Sequence, residues 1–168
     1  ACLISLSALS LSSCTQKKVA TSVVYMDFPQ TIELKARVQP LDTALFRYPF
    51  RVRVQGDKAV VMDLHGTDYF CHVFHYPGFR YFASFGKRGE APEEMLSAEN
   101  VRWNGDFLWM LDAGKSEINR YGFISSGGSL SRQETVRLDE EMFRPLDFVQ
   151  YDDTTFVIPD YSGDSRFC

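Results

Sequence analysis

Residues 85–95, FGKRGEAPEEM, gather two glycines, a lysine and an arginine into one short loop. Those are the residue types that cradle a phosphate, but the spacing is wrong for it. A phosphate loop needs G-x-x-x-x-G-K-[ST] opening a helix. Gly86-Lys87-Arg88-Gly89 has no Ser or Thr after its lysine, and Pro92 and two acids follow. The Gly-x-Gly-x-x-Gly fingerprint of a dinucleotide site is also missing. The stretch reads instead as a crossing between two structural units. His65, His72 and His75 lie near Cys71, but alternation along a strand turns His72 away from both Cys71 and His75. Zinc needs convergent ligands, so no metal and no cofactor are expected. There is no G-x-S-x-G; ISSGGSLS, residues 124–131, reads as a polar hairpin loop.

A second set of residues recurs. Asp63, Asp112 and Asp160 are 49 and 48 residues apart. Val52, Val101 and Val149 each stand eleven positions before one of them. Ten positions before stand Arg53, Arg102 and Gln150. These three polar residues sit among apolar neighbours on a strand. They are candidates to line a channel and meet an anionic ligand, or to pair with carboxylates between sheets. Each Asp ends an apolar strand and opens a Gly/Ser-rich turn, where a carboxylate can accept hydrogen bonds from the turn's amides. Its recurrence in every copy suits a structural role, because an active site needs different residues in different copies.

The elements that must position these residues follow the same period. Phe50, Val52 and Val54 alternate as a strand does. Gly56-Asp57, Asn104-Gly105 and Asp152-Asp153 are the residues a tight hairpin requires. Second strands AVVM, FLWML and TFVI come next, and then the Asp and its polar turn. YFCHVFHY and FRYFASF complete the first copy, EINRYGFI and RQETVRL the second, and the third stops inside its third strand. Between Phe46 and Phe85 there are 11 Phe and Tyr residues in 40, which favours strands. Four antiparallel strands every ~48 residues is the arithmetic of a β-propeller blade. The expected fold is all-β: a partial propeller of about two and a half blades, covering 45–92, 93–139 and an incomplete 140–168. TIELKARVQPL, residues 31–41, is expected as an extended strand that helps close the ring.

The start of the chain is a different kind of sequence. Residues 1–13 are small and apolar, and read as the remnant of a secretory signal whose true start lies upstream. LSSC, Leu11 to Cys14, is similar to a bacterial lipobox, which makes Cys14 the lipidated residue and residues 14–30 a tether. The protein would then be anchored to a membrane without spanning it. The 18 basic and 22 acidic residues give a net charge of −4, which carries no nucleic-acid signature. Cys71 and Cys168 each lie eight residues after a repeated Asp, in copies two apart. Two sheets apart is too far for a disulfide, so both are expected as free, buried thiols.

The stretch from YFASFGKRGE to NRYGF, residues 81–123, resembles the TolB-like six-bladed propellers of bacterial lipoproteins, and more distantly NHL repeats, and the resemblance runs from about Thr31 to the end. The resemblance rests on Gly86, Gly89, Pro92, Val101, Asp112 and Tyr121. It implies six blades in a closed ring, which at ~48 residues each needs on the order of 290 residues. This chain is therefore expected to be the N-terminal part of a longer one. The implied function is that of a lipid-anchored protein of the bacterial envelope, at the outer rather than the inner membrane. Its propeller would bind a protein, peptide or glycan, or act as a scaffold, with no catalysis evident. The alternative is a propeller enzyme of lactonase or lyase type with its site in the missing blades.

Overall fold

The computed structural model describes residues 28–41, 46–124, 128–139, 142, 145–159 and 161. The chain divides into two compact units, 1–37 and 38–168. In the first, the described residues 28–37 are exposed and carry no regular structure. Residues 38–41 likewise carry no regular structure, although the Gln39 side chain donates to the Gly78 carbonyl at 3.4 Å. The strand expected over 31–41 is therefore not formed; a strand exists only where a neighbour takes up its amides.

The second unit is all-β. Strands β1 (Pro49–Gln55), β2 (Lys58–Asp63), β3 (Tyr69–His75) and β4 (Arg80–Lys87) make one antiparallel sheet in chain order. Strands β5 (Ala98–Asn104), β6 (Phe107–Asp112), β7 (Glu117–Phe123) and β8 (Leu130–Arg137) make a second with the same order. Strands β9 (Val149–Gln150) and β10 (Phe156–Val157) pair as the start of a third. The described residues contain no helix, and so none long and apolar enough to cross a membrane.

Like strands face one another: β1 lies against β5, and β4 against β8. Between the first two sheets sits a core that includes Val60, Met62, Val73, Phe85, Val101, Leu108 and Met110. A second core, of Trp109, Leu111, Ile118, Phe148 and Ile158, joins the second sheet to β9 and β10. The middle sheet is thus apolar on both faces, with Leu108 and Met110 turned one way and Trp109 and Leu111 the other. Such a sheet is stable only between neighbours. Serial four-stranded sheets packed face to face are the architecture of a partial β-propeller.

Candidate functional site

At one end of each of the first two sheets lies a repeated Asp. Asp63 and Asp112 are fully buried. Asp63 Oδ2 accepts the Arg47 amide at 2.7 Å; its Oδ1 accepts those of Tyr48 at 2.7 Å and His65 at 3.1 Å. Asp112 repeats the pattern. Its Oδ2 accepts the Leu96 amide at 3.0 Å, and its Oδ1 those of Ser97 and Gly114, each at 3.0 Å, and Lys115 at 3.3 Å. Each carboxylate therefore latches the segment entering its sheet to the turn leaving the second strand. Burial alone would raise the Asp63 pKa, but the three amides outweigh it and hold it below the usual carboxylate range. Both carboxylates are occupied by backbone, which leaves them little to offer a ligand. Asp160 lies outside the described residues.

The opposite end carries the hairpin tips, where Gly56 and Gly105 turn at φ of +56° and +54°. Here a cleft of about 570 Å³ opens between the first strands of successive sheets. Arg53, Arg102 and Gln150 all line it. Arg53 shares a face with Val60 and Val73 and points toward the second sheet, where its Nε donates to the Val101 carbonyl at 3.3 Å. The Trp103 indole donates back to the Arg53 carbonyl at 3.4 Å. Among the described residues the terminal nitrogens of Arg53 have no partner. Burial, then the nearby Arg102 and Arg51 charges, push its pKa down, with Asp147 acting in the opposite sense.

Arg102 has a different fate. It forms a bidentate pair with Asp147, its terminal nitrogen lying 2.9 and 3.0 Å from the two carboxylate oxygens. Asn100 donates to the same carboxylate, and so does the Phe148 amide at 2.7 Å. Burial would raise the Asp147 pKa, but the Arg102 hydrogen bonds, the Phe148 amide and the Arg102 charge hold it low. Of the two roles open to Arg102, the geometry is that of a partner for a carboxylate between sheets.

Gln150 is not the structural equivalent of the two arginines. Arg53 pairs with Val60 and Arg102 with Trp109, each the third residue before the repeated Asp. The third residue before Asp160 is Val157, and it pairs with Val149. The third hairpin is one residue longer, and a slip of one residue turns every side chain to the other face. Phe148, fully buried, stands where Val101 does, and Asp147 where Asn100 does. Both Asn100 and Asp147 accept the amide of the next residue, at 2.8 and 2.7 Å. Gln150 still reaches the cleft because the slip turns it back toward the second sheet, where its Oε1 accepts from Asn104. Asp147 escaped sequence reading because the two copies were matched one residue out of step; aligning Phe148 with Val101 would have exposed it.

The loop at 85–95 joins β4 to the segment before β5. The Met95 amide donates to the Lys87 carbonyl at 2.8 Å, and the Gly89 amide to the Met95 carbonyl at 3.0 Å. Its cations are already engaged. Lys87 pairs with Glu94 at 2.6 Å, and Arg88 lies over the Phe70 ring and reaches the Gly66 carbonyl. Gly86 sits at φ +65°, where a Cβ would come within 3.0 Å of Met110 Cε and Sδ. The histidines diverge. His72 Nδ1 bonds Ser84 at 2.8 Å, His65 packs on Tyr48 and His75 on Phe82. Cys71 is a free thiol, fully buried, and burial raises its pKa. Cys14 and Cys168 lie outside the described residues.

A family model described as TolB-like 6-blade propeller-like matches residues 27–168. No curated protein matches the chain. Among solved structures, one from Bacteroides fragilis named "Putative exported protein" is similar, with 16% identity and a TM-score of 0.48. The match covers 74% of this chain and 38% of that one.

Proposed function

We propose, from the premise that the chain belongs to the TolB-like 6-blade propeller-like family, that it is an exported, lipid-anchored envelope protein that binds a peptide or glycan through one propeller face. The observation that carries the binding role is the cleft at the hairpin tips. Its volume of about 570 Å³ falls within the roughly 300–1,000 Å³ typical of ligand sites. Three successive first strands build it, so its shape depends on the stacking of sheets rather than on one loop. The Asp residues at the other end are committed to backbone amides, which supports a scaffold there and recognition at the tips.

Anchoring rests on LSSC at residues 11–14, with Cys14 as the acylated residue and the polar run after it as a tether. Residues 31–168 then form the propeller segment, divided near residues 92 and 139. The outer membrane is the proposed address. In a bacterial host, mass spectrometry of the mature N-terminus tests the anchor. A diacylated Cys14 is expected, and Cys14→Ser should leave the protein unlipidated and free of the membrane pellet. For binding, the purified protein is screened on glycan and peptide arrays, alongside a variant with bulky substitutions at Asn104 and Gln150. Hits insensitive to that variant would place recognition elsewhere; an unmodified N-terminus would remove the anchor.

A further inference from the structure

We propose that the cleft at the hairpin tips recognises a carboxylate-bearing glycan, with Arg53 as the partner of the carboxylate. This rests on the reading above that this face binds a ligand, and it names the class of ligand.

The charges of Arg102 and Arg51 act on Arg53, and the Asp147 carboxylate acts on it in the opposite sense. Arg102 takes that carboxylate bidentately. Arg53 lines the cleft and is left with a single main-chain bond at Nε, its two terminal nitrogens without a partner among the described residues. A half-buried guanidinium fork with both outer nitrogens free is the donor arrangement that matches a planar carboxylate.

The groups around it argue for a sugar. Gln55 donates to the Gly105 carbonyl at 2.6 Å, which leaves its own Oε1 open. Asn104 donates to Gln150, which leaves Asn104 Oδ1 as an acceptor and Gln150 Nε2 as a donor. The side-chain amides therefore leave two acceptors and one donor free along the cleft. A sugar hydroxyl both donates and accepts, and such a mixed row suits it. A peptide in extended form is met instead by the backbone edge of a strand. Tyr151, 79% exposed, stands at the rim and offers a flat ring to the C–H face of a pyranose.

The chain reports on its own site. It has two tryptophans, Trp103 and Trp109, and both line the cleft. The full chain is titrated with trimers of galacturonic, glucuronic and mannuronic acid and with their methyl esters, which keep every hydroxyl but lose the charge. Tryptophan fluorescence and calorimetry give the affinities. At least one acid is expected to bind about tenfold or more tightly than its ester, the size of one hydrogen bond to a charged group. That preference should shrink as salt rises. Arg53→Gln should bring acid and ester to equal affinity, while Tyr151→Ala should weaken both. The acid–ester comparison needs no variant, so a poorly folded Arg53→Gln leaves the test intact. Equal binding of acid and ester by the parent chain overturns the role of Arg53 but leaves a ligand-binding face. Binding of triglutamate with no response to any sugar overturns the glycan class and also leaves the face. Silence toward all the sugars overturns the inference, and the array screen then judges the face by itself.

Discussion

Replacing Asp63 by Asn keeps the size of the side chain and removes its charge. The carboxylate accepts amides from Arg47, Tyr48 and His65 through two oxygens. An Asn can keep its carbonyl on Tyr48 and His65, and its NH₂ then faces the Arg47 amide, donor against donor. An unsatisfied buried donor costs about 1–3 kcal/mol, and hydrogen bonds to charged acceptors exceed neutral ones by roughly 1 kcal/mol each. With one orphaned and two weakened, the loss is on the order of 3–5 kcal/mol. That is a large share of the ~5–15 kcal/mol stability of a typical domain. Urea denaturation should show the midpoint falling with the slope unchanged. The pH dependence has a definite sign. Because the folded pKa of Asp63 is depressed, its stabilisation is present above the unfolded value, about 3.9, and is lost as pH falls through the folded pKa. The parent should therefore lose stability across that acid window, and Asp63→Asn should lose less. A variant within ~0.5 kcal/mol of the parent, the range of a neutral surface change, would refute the latch.

Tyr121 is 4% exposed and its hydroxyl has no partner among the described residues. Tyr121→Phe removes that orphaned group, so its denaturation midpoint should equal or exceed the parent's. A double-mutant cycle of Arg102→Gln with Asp147→Asn should give a coupling of about 1 kcal/mol, the upper range for a partly exposed pair. The coupling should vanish as acid protonates Asp147. Cys71 should resist alkylation at neutral pH until the protein unfolds, as shown by peptide mapping after a timed pulse of thiol reagent, because only the thiolate reacts.

Much of the fold was legible because its signals are local. The turn at Gly56-Asp57 and strand alternation sit within a few residues of what they govern. The second hairpin turns at Gly105-Asp106, one residue past the expected Asn104-Gly105, and the recurrent Asp reaches 15–16 residues back but at a constant spacing. The Gly86–Met95 crossing was readable for the same reason: its glycines and Pro92 act on their own backbone. The candidate site was legible only in outline. Arg53 and Arg102 share an offset but not a role, since Asp147, 45 residues beyond Arg102, is hydrogen-bonded by the second and not by the first. Nothing periodic marks a partner supplied by the next sheet. Gln150 was displaced by one residue inserted in a hairpin, a change that constant spacing to the Asp concealed. The strand expected at 31–41 failed because extended character cannot supply its own hydrogen-bonding neighbour.

The carboxylate latch has a consequence for how such chains change over time. Asp112 grips residues 15 and 16 positions behind it and two or three ahead, so the fastening travels whole with any stretch copied in tandem. Contacts such as Arg102 with Asp147 cross a boundary and must be negotiated afresh wherever a copy gains a new neighbour. Duplication can therefore lengthen the array while leaving each clasp untouched, and divergence is free to accumulate at the seams, where a new specificity would arise.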